Sequence, residues 1–233
     1  MPKSIAIITA RGGSKRIPRK NIREFCGMPI ISYSIKAALE SGCFDEVMVS
    51  TDGEEIANLA KNLGAQVPFL RSQKNSDDFS TTADVLTEVL ETYQNQGREF
   101  DFTCCIYPTA VFVTAEKLQK AYQIFIATEA DSLIPVVKFS YPIQRALKVE
   151  DDLLKFFWPE NIQKRSQDLE QAYHDCGQFY FLKSAALLAS GNIFTANSIP
   201  FEINETESQD IDTQMDWELA EIKYKILKTK HEI

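Results

Sequence analysis

Five cations crowd one short stretch near the amino end, "ARGGSKRIPRKN" at residues 10–21: Arg11, Lys15, Arg16, Arg19 and Lys20, with Gly12 and Gly13 among them and no acid before Glu24. Their mutual repulsion has to be offset, and a small, highly charged anion is the simplest partner. Gly12 and Gly13 allow backbone conformations closed to other residues and let amide groups come close to a ligand. Lysine and arginine add charge-assisted hydrogen bonds, and arginine can grip two phosphate oxygens at once. A solvated basic turn would need none of these constraints, although the loop alone does not exclude one. The spacing is neither that of a Walker A loop, which needs Gly-Lys-Ser/Thr, nor that of GxGxxG.

Near the carboxyl end, "DID" sets Asp210 and Asp212 one residue apart. In an extended segment residues two apart share a face, so both carboxylates could meet one cation. Mg²⁺ prefers hard oxygen ligands and often takes one or two carboxylates together with substrate phosphates and water. The competing reading is that Asp212 or Asp216 caps the helix that follows.

The elements that would hold these groups alternate. Apolar Ser4 to Thr9 reads as a buried strand, and "PIISYSIKAALES" as a helix with Ile31, Ile35, Ala38 and Leu39 inward and Gly42 as its stop. "EVMVST" is a second strand. Asp52 is expected to cap the helix "GEEIANLAKNLG", whose Ile56, Leu59, Ala60 and Leu63 repeat at helical spacing, and a short strand is expected over Gln66–Leu70. Further on come a helix over "STTADVLTEVLETYQNQG", the strand "DFTCCIY", the helix "AEKLQKAYQIFIATE" and the strand "DSLIPVV". This rhythm implies βαβ units and a largely parallel sheet covered on both faces, with ligands bound beyond the carboxyl ends of its strands. The basic loop leaves the first strand at that end.

After residue 138 the rhythm breaks into a stretch rich in aromatics, charge and proline, read as an excursion over about residues 139–175 within a single domain. Phe156, Phe157 and Trp158 would be a liability if exposed in a monomer, so a subunit interface is the expectation; folding of the excursion onto its own domain is the alternative. "GQFYFL" then resumes the sheet, and a last helix is expected to turn Trp217, Leu219, Ala220 and Ile222 inward.

Composition limits the function classes. With 44% hydrophobic residues and 15 Phe in 233 residues, a sizeable core can form. A net charge of −8 argues against nucleic acid as a partner. No apolar run approaches the length that spans a bilayer, so no membrane partner is expected. Cys26, Cys43, Cys104, Cys105 and Cys176 form an odd set without CxxC spacing, which suggests reduced, packed thiols and a cytoplasmic protein.

Taken together, "ARGGSKRIPRKN", "VSTDGEEIANLAKNLGAQVPFLR" and "QDIDTQMDWELAE" resemble, in order, the signatures of the CMP-sialic acid synthetase family of cytidylyltransferases. The resemblance covers nearly the whole chain. It implies a three-layer α/β/α nucleotidyltransferase fold and a homodimer in which the excursion reaches over the partner's site. It also implies Mg²⁺-dependent transfer of CMP from CTP to the anomeric hydroxyl of a nine-carbon sugar acid. Carried over by position, Arg11 and Lys20 would contact the triphosphate, with Gly12, Gly13, Ser14, Lys15 and Asn21 nearby. Arg71 and Thr82 would lie toward the cytosine. Asp212 would be the first metal ligand, and Asp210 a second or water-mediated one.

Sialic-acid-specific members of that family carry a "QPTSPLR"-like segment where this chain has "YPTAVFVT", with Tyr107 in place of a sugar-contacting glutamine and no arginine. "YPIQRAL" and "HDCGQFYF" are instead similar to the subgroup that activates pseudaminic acid. On that likeness Arg145 would pair with the sugar carboxylate, and His174, Asp175 and Gln178 would contact its acetamido or hydroxyl groups. His231, in a charged tail, is assigned no role. The alternatives are the same chemistry on N-acetylneuraminate, legionaminate or, further off, KDO, or a catalytically silent nucleotide-binding assembly module. The retained cations and carboxylate pair argue against silence.

Overall fold

A computed structural model describes residues 2–230; His231 lies outside them. The chain opens with β1 (Ser4–Thr9), crosses the basic loop and a small hairpin of β2 (Glu24–Phe25) and β3 (Met28–Pro29), and enters α1 (Ile31–Ser41) and β4 (Glu46–Ser50). Then come α2 (Glu54–Asn62), α3 (Thr82–Asn95), β5 (Phe102–Ile106), α4 (Ala115–Ile126) and β6 (Ser132–Lys138). The hairpin β7 (Leu147–Glu150) and β8 (Leu153–Phe156) follows, then β9 (Tyr173–Asp175), β10 (Phe179–Lys183), α5 (Ser184–Ser190), β11 (Ser198–Glu202) and α6 (Gln214–Thr229).

Seven strands make the main sheet in the order β11-β6-β10-β5-β1-β4, with β9 added beside β6. β1 pairs in parallel with both β4 and β5, and β11 in parallel with β6, whereas β10 and β9 run antiparallel to their neighbours. The sheet is thus mainly parallel and mixed, as expected. Because β4 and β5 flank β1, the chain leaves β1 for one side and later returns on the other. The carboxyl ends of these three strands frame a crevice of the kind in which open α/β sheets bind ligands.

Strand alternation divides the core. Ala6, Ile8 and Cys104 face one helical layer with Ile35, Ala60 and Leu118, while Ile5, Ile7 and Cys105 face the other with Leu86, Leu90 and Leu187. All five cysteines are free, and Cys104, Cys105 and Cys176 are buried. A third cluster, with Ile17, Phe25, Phe112, Ile211 and Trp217, joins α6 to the loop after β1.

Several local expectations are corrected. Asp52 does not cap α2: Gly53 holds that position, and the Asp52 carboxylate accepts the Gly12 amide at 2.7 Å instead. Gln66–Leu70 forms only an isolated bridge from Gln66 to Met48, because the chain peels away beyond it. Leu39 is exposed, its place in the buried stripe of α1 taken by Ser34 and Ser41. On α6, Trp217, Ala220 and Leu227 turn inward and Leu219 and Ile222 outward; they lie on the side away from the Phe25–Phe112 cluster. Neither Asp212 nor Asp216 is the cap residue of that helix. Thr213 is, and Asp216 completes a capping box with it.

Candidate active site

The basic loop begins where β1 ends, and β-type pairing continues one residue past the strand, Ala10 N–H donating to Ser50 O at 2.9 Å. Gly12 then brings its amide onto Asp52, whose Oδ1 would lie 3.6 Å from a Cβ added at that glycine. Buried Asn21 donates from Nδ2 to the Arg11 carbonyl at 2.8 Å, tying the end of the loop back to its start. Arg19 sits in the left-handed region at φ 57°, which tightens the turn into the short 3-10 helix Lys20–Ile22.

Every cation of the loop finds an acid of the same chain. Arg11 Nη1 donates to Asp78 Oδ1 and to the Asp77 carbonyl, both at 2.8 Å, and Lys15 Nζ reaches Asp78 Oδ2 at 2.5 Å. Arg16 pairs with Asp212 at 2.9 Å, and Arg19 pairs with Glu55. Lys20, the least exposed of them, donates to the Ile211 carbonyl at 2.5 Å and lies 3.4 Å from Asp212 Oδ1. The Lys15 and Arg11 contacts hold the Asp78 carboxyl below the usual range.

The acidic segment arrives from the far end of the chain and is held at several points. Gln178 Nε2 donates to the Glu207 carbonyl at 2.6 Å, Lys117 pairs with Glu207 at 2.7 Å, and Lys223 donates to the Ser208 carbonyl at 2.7 Å. Ile211 is fully buried, so the residues on either side of it, Asp210 and Asp212, both turn to the cleft. Burial, and then the neighbouring Asp212 charge, push the Asp210 carboxyl up despite the opposing pull of Lys20. An anion pair destabilised in this way fits a divalent cation. Among the described residues no group of three or more acidic, histidine or cysteine side chains is poised for a metal, so any further ligands would have to be water or substrate.

Between the loop and the acidic segment lies a cleft of about 420 Å³. Of the residues singled out from sequence it brings together Arg11, Lys20, Asn21, Arg71, Thr82, Tyr107, Asp210 and Asp212. Ser14 and Lys15 line an adjoining recess of about 360 Å³ that shares Arg11, Lys20 and Asn21, whereas Gly12 and Gly13 shape the loop without lining either space. Arg71 is buried at the cleft wall. Its Nη2 donates to the Ser50 carbonyl at 2.6 Å and its Nε to Ser50 Oγ at 3.0 Å, and loss of water lowers its pKa.

Four expected sugar contacts lie outside this cleft. Arg145 is in a 3-10 turn of the excursion, near Ser166. The His174 ring rests edge-on against Phe139. Asp175 uses its carboxylate on Gly177 N–H and Tyr180 O–H, at 3.0 and 2.7 Å. Gln178 is 1% exposed and works on the acidic segment, as described above. Arg16, another of the five crowded cations, also lines the cleft, and Asn75, Asp77, Asp78 and Ser80 line it without having been picked out for it. The acids of "SDDFST" were a usable signal: Asp77 Oδ1 accepts the amides of Phe79 and Ser80, an Asx turn that presents Asp78 to the cations.

Comparison with known proteins bears on this arrangement. The family described as cytidylyltransferase matches residues 5–139. Pseudaminic acid cytidylyltransferase of Campylobacter jejuni is 45% identical over 225 residues, covering 96% of this chain and 97% of that protein. CMP-N,N'-diacetyllegionaminic acid synthase of Legionella pneumophila is 34% identical over 226 residues, covering 93% and 94%. Among solved structures, a CMP:2-keto-3-deoxy-manno-octonic acid synthetase complexed with CTP aligns at TM-score 0.70 and 16% identity over 97% of this chain and 99% of that one, a likeness of fold. With the matched segment beginning in β1 and running through β6, and relatives alike over almost their full length, the chain belongs to the cytidylyltransferase family.

Proposed function

We propose that the protein transfers CMP from CTP to the anomeric hydroxyl of pseudaminic acid, releasing pyrophosphate. The observation that carries the reaction class is the meeting of the amino-terminal cations with Asp210 and Asp212 in one cleft. The choice of sugar is supported by the 45% identity to the Campylobacter jejuni enzyme and by Tyr107 in place of the glutamine expected of sialic-acid-specific members.

In this reading Arg11 and Lys20 hold the triphosphate and meet the charge that grows on the non-bridging oxygens and departing pyrophosphate as the sugar hydroxyl attacks the α-phosphorus. Prearranged cations also keep two anionic reactants together against their own repulsion. The chain's own acids now occupy those cations, so a triphosphate enters by exchange: phosphate oxygens take the positions on Arg11 and Lys15 that Asp78 holds. Arg71 and Thr82 face the nucleoside. Asp212, with Asp210, would hold Mg²⁺, which when bound supplies charge neutralisation of the phosphates and acidifies a coordinated hydroxyl.

The excursion supports a homodimer. Val149, Leu153, Leu154 and Phe157 are more than half exposed on and beside the β7–β8 hairpin, an apolar surface suited to a second copy. In such an assembly Arg145 and His174 would be available to a neighbouring cleft.

The deciding experiment is pyrophosphate release from CTP and Mg²⁺ with pseudaminic acid and N-acetylneuraminate side by side. Much faster release with pseudaminic acid is expected; equal or reversed rates would remove the sugar assignment and spare the reaction class.

A further inference from the structure

Arg16 stands apart among the loop cations because so little holds it. Its Nη2 donates to Asp212 Oδ1 at 2.9 Å, and among the described residues that is the only hydrogen bond its side chain makes. Lys20 approaches the same carboxylate oxygen at 3.4 Å but is anchored by the Ile211 carbonyl at 2.5 Å and is mostly covered, whereas the Arg16 side chain is 67% exposed. Four of its five N–H donors are unused, and a planar fork able to grip two oxygens at once grips one. Arg16 also faces two spaces. It lines the cleft that contains Asp210 and Asp212, and it lines the adjoining recess, whose walls include Arg11, Lys15 and Lys20 beside Asp78.

A guanidinium and a divalent cation are poor companions on one carboxylate. A cation bound to Asp212 would lie well inside the screening length of about 8 Å from a guanidinium bonded to that same group, so the two compete for it. A triphosphate reverses the preference. Phosphate oxygens take an arginine two at a time, a better match than the single carboxylate oxygen that Arg16 now holds. To meet them the side chain need only turn from the cleft toward the recess it already lines. Lys20 stays where the Ile211 carbonyl fixes it. Asp212 is then uncovered just when phosphate oxygens, which Mg²⁺ commonly takes together with one or two carboxylates, are at hand.

We propose that Arg16 is a positioning residue for Asp212 that works by exchange: it covers this carboxylate until a nucleoside triphosphate draws it away, so that the acid pair takes a divalent cation together with the nucleotide and only weakly without it. The proposal rests on the cytidylyl-transfer reading above, which supplies the triphosphate and the metal. It gives a role to a cation which that reading leaves unassigned, and it makes the binding of the two ligands mutually favourable.

Binding of each ligand by itself tests this without any turnover. Mn²⁺, which suits the same hard oxygen donors, is titrated into the whole chain without nucleotide and followed by the electron paramagnetic resonance of the free ion. CTP is titrated calorimetrically with a chelator present. At low ionic strength Arg16→Ala should tighten Mn²⁺ about three- to fivefold, the worth of an exposed ion pair, and weaken CTP about tenfold, the worth of a hydrogen bond to a charged group. Arg19→Ala is the control: it removes the same charge from a nearby side chain that pairs with Glu55 and lines neither space, and it should move both constants much less. Arg16→Gln, uncharged but long, serves if the alanine variant does not fold. Mn²⁺ binding unchanged by Arg16→Ala, or tightened equally by Arg19→Ala, would overturn the proposal, because the pair would then be idle or the effect a general field. Unchanged CTP binding would overturn it as well, since the freed arginine would not be reaching the phosphates. Weakening of both ligands would make Arg16 a structural tie of the loop and have the same consequence. Failure of the wild type to bind CTP even with Mg²⁺ would instead remove the reading beneath it, whatever the Mn²⁺ titrations give.

Discussion

Lys20 and Asp210 show how far single side chains in one cleft can differ. Lys20 is largely covered and aimed by the Ile211 carbonyl, so its charge is preorganised where phosphate charge would develop. Lys20→Ala should therefore lower kcat by about two to three orders of magnitude, as seen when one electrostatic donor is removed from such a site. Asp210 is the opposite case, an ionised group that the folded state disfavours. A carboxyl whose pKa is raised by folding costs stability above its folded pKa, and that cost disappears below its unfolded value. Asp210→Asn should accordingly raise the melting temperature at pH 7 in the absence of metal and nucleotide, with the gain shrinking toward zero as the pH falls through the acid range. A constant gain at all pH values would show that charge is not its cause.

At the level of elements, the segment between Gln66 and α3 carries the most information beyond what pattern reading supplied. It was expected to start as a strand, but apart from one bridge it is irregular, and its Asx turn delivers Asp78 to Arg11 and Lys15. These contacts are solvent-exposed and individually weak, which suits a group that must give way to phosphate. Asp78→Asn should lower KM for CTP a few-fold at low ionic strength, an advantage that added salt erases. An unchanged KM would mean that nucleotide and Asp78 do not compete. The Thr213–Asp216 capping box plays the complementary part, stopping α6 so that Asp212 stays in the cleft rather than in the helix.

For the whole molecule, the feature that stands out is an apolar excursion attached to an otherwise well-covered sheet. The β7–β8 hairpin is a two-stranded sheet of its own, and isolated hairpins are marginal in water. A second copy covering Val149, Leu154 and Phe157 would supply the missing burial. Light scattering at micromolar concentration should give twice the mass of the chain, and Leu154→Asp should shift it toward the monomer. A monomeric mass for the unaltered protein would discard the dimer.

Much of this was readable from local pattern. Apolar periodicity and the glycine stops located the principal strands and helices, because strand and helix geometry depends on neighbours a few residues away. The five crowded cations and the Asp210-Ile211-Asp212 alternation marked the two halves of the cleft for the same reason. Partner choice was not readable. Arg16 meets Asp212 across 196 residues, and Asp52 leaves its expected cap position for Gly12. The use of Asp175 on Tyr180 and of buried Gln178 on the acidic segment likewise follows from where β10 lies beside β5 and β6. Which side chains face each other across a cleft depends on strand order and helix placement, and these are settled only when the whole core closes.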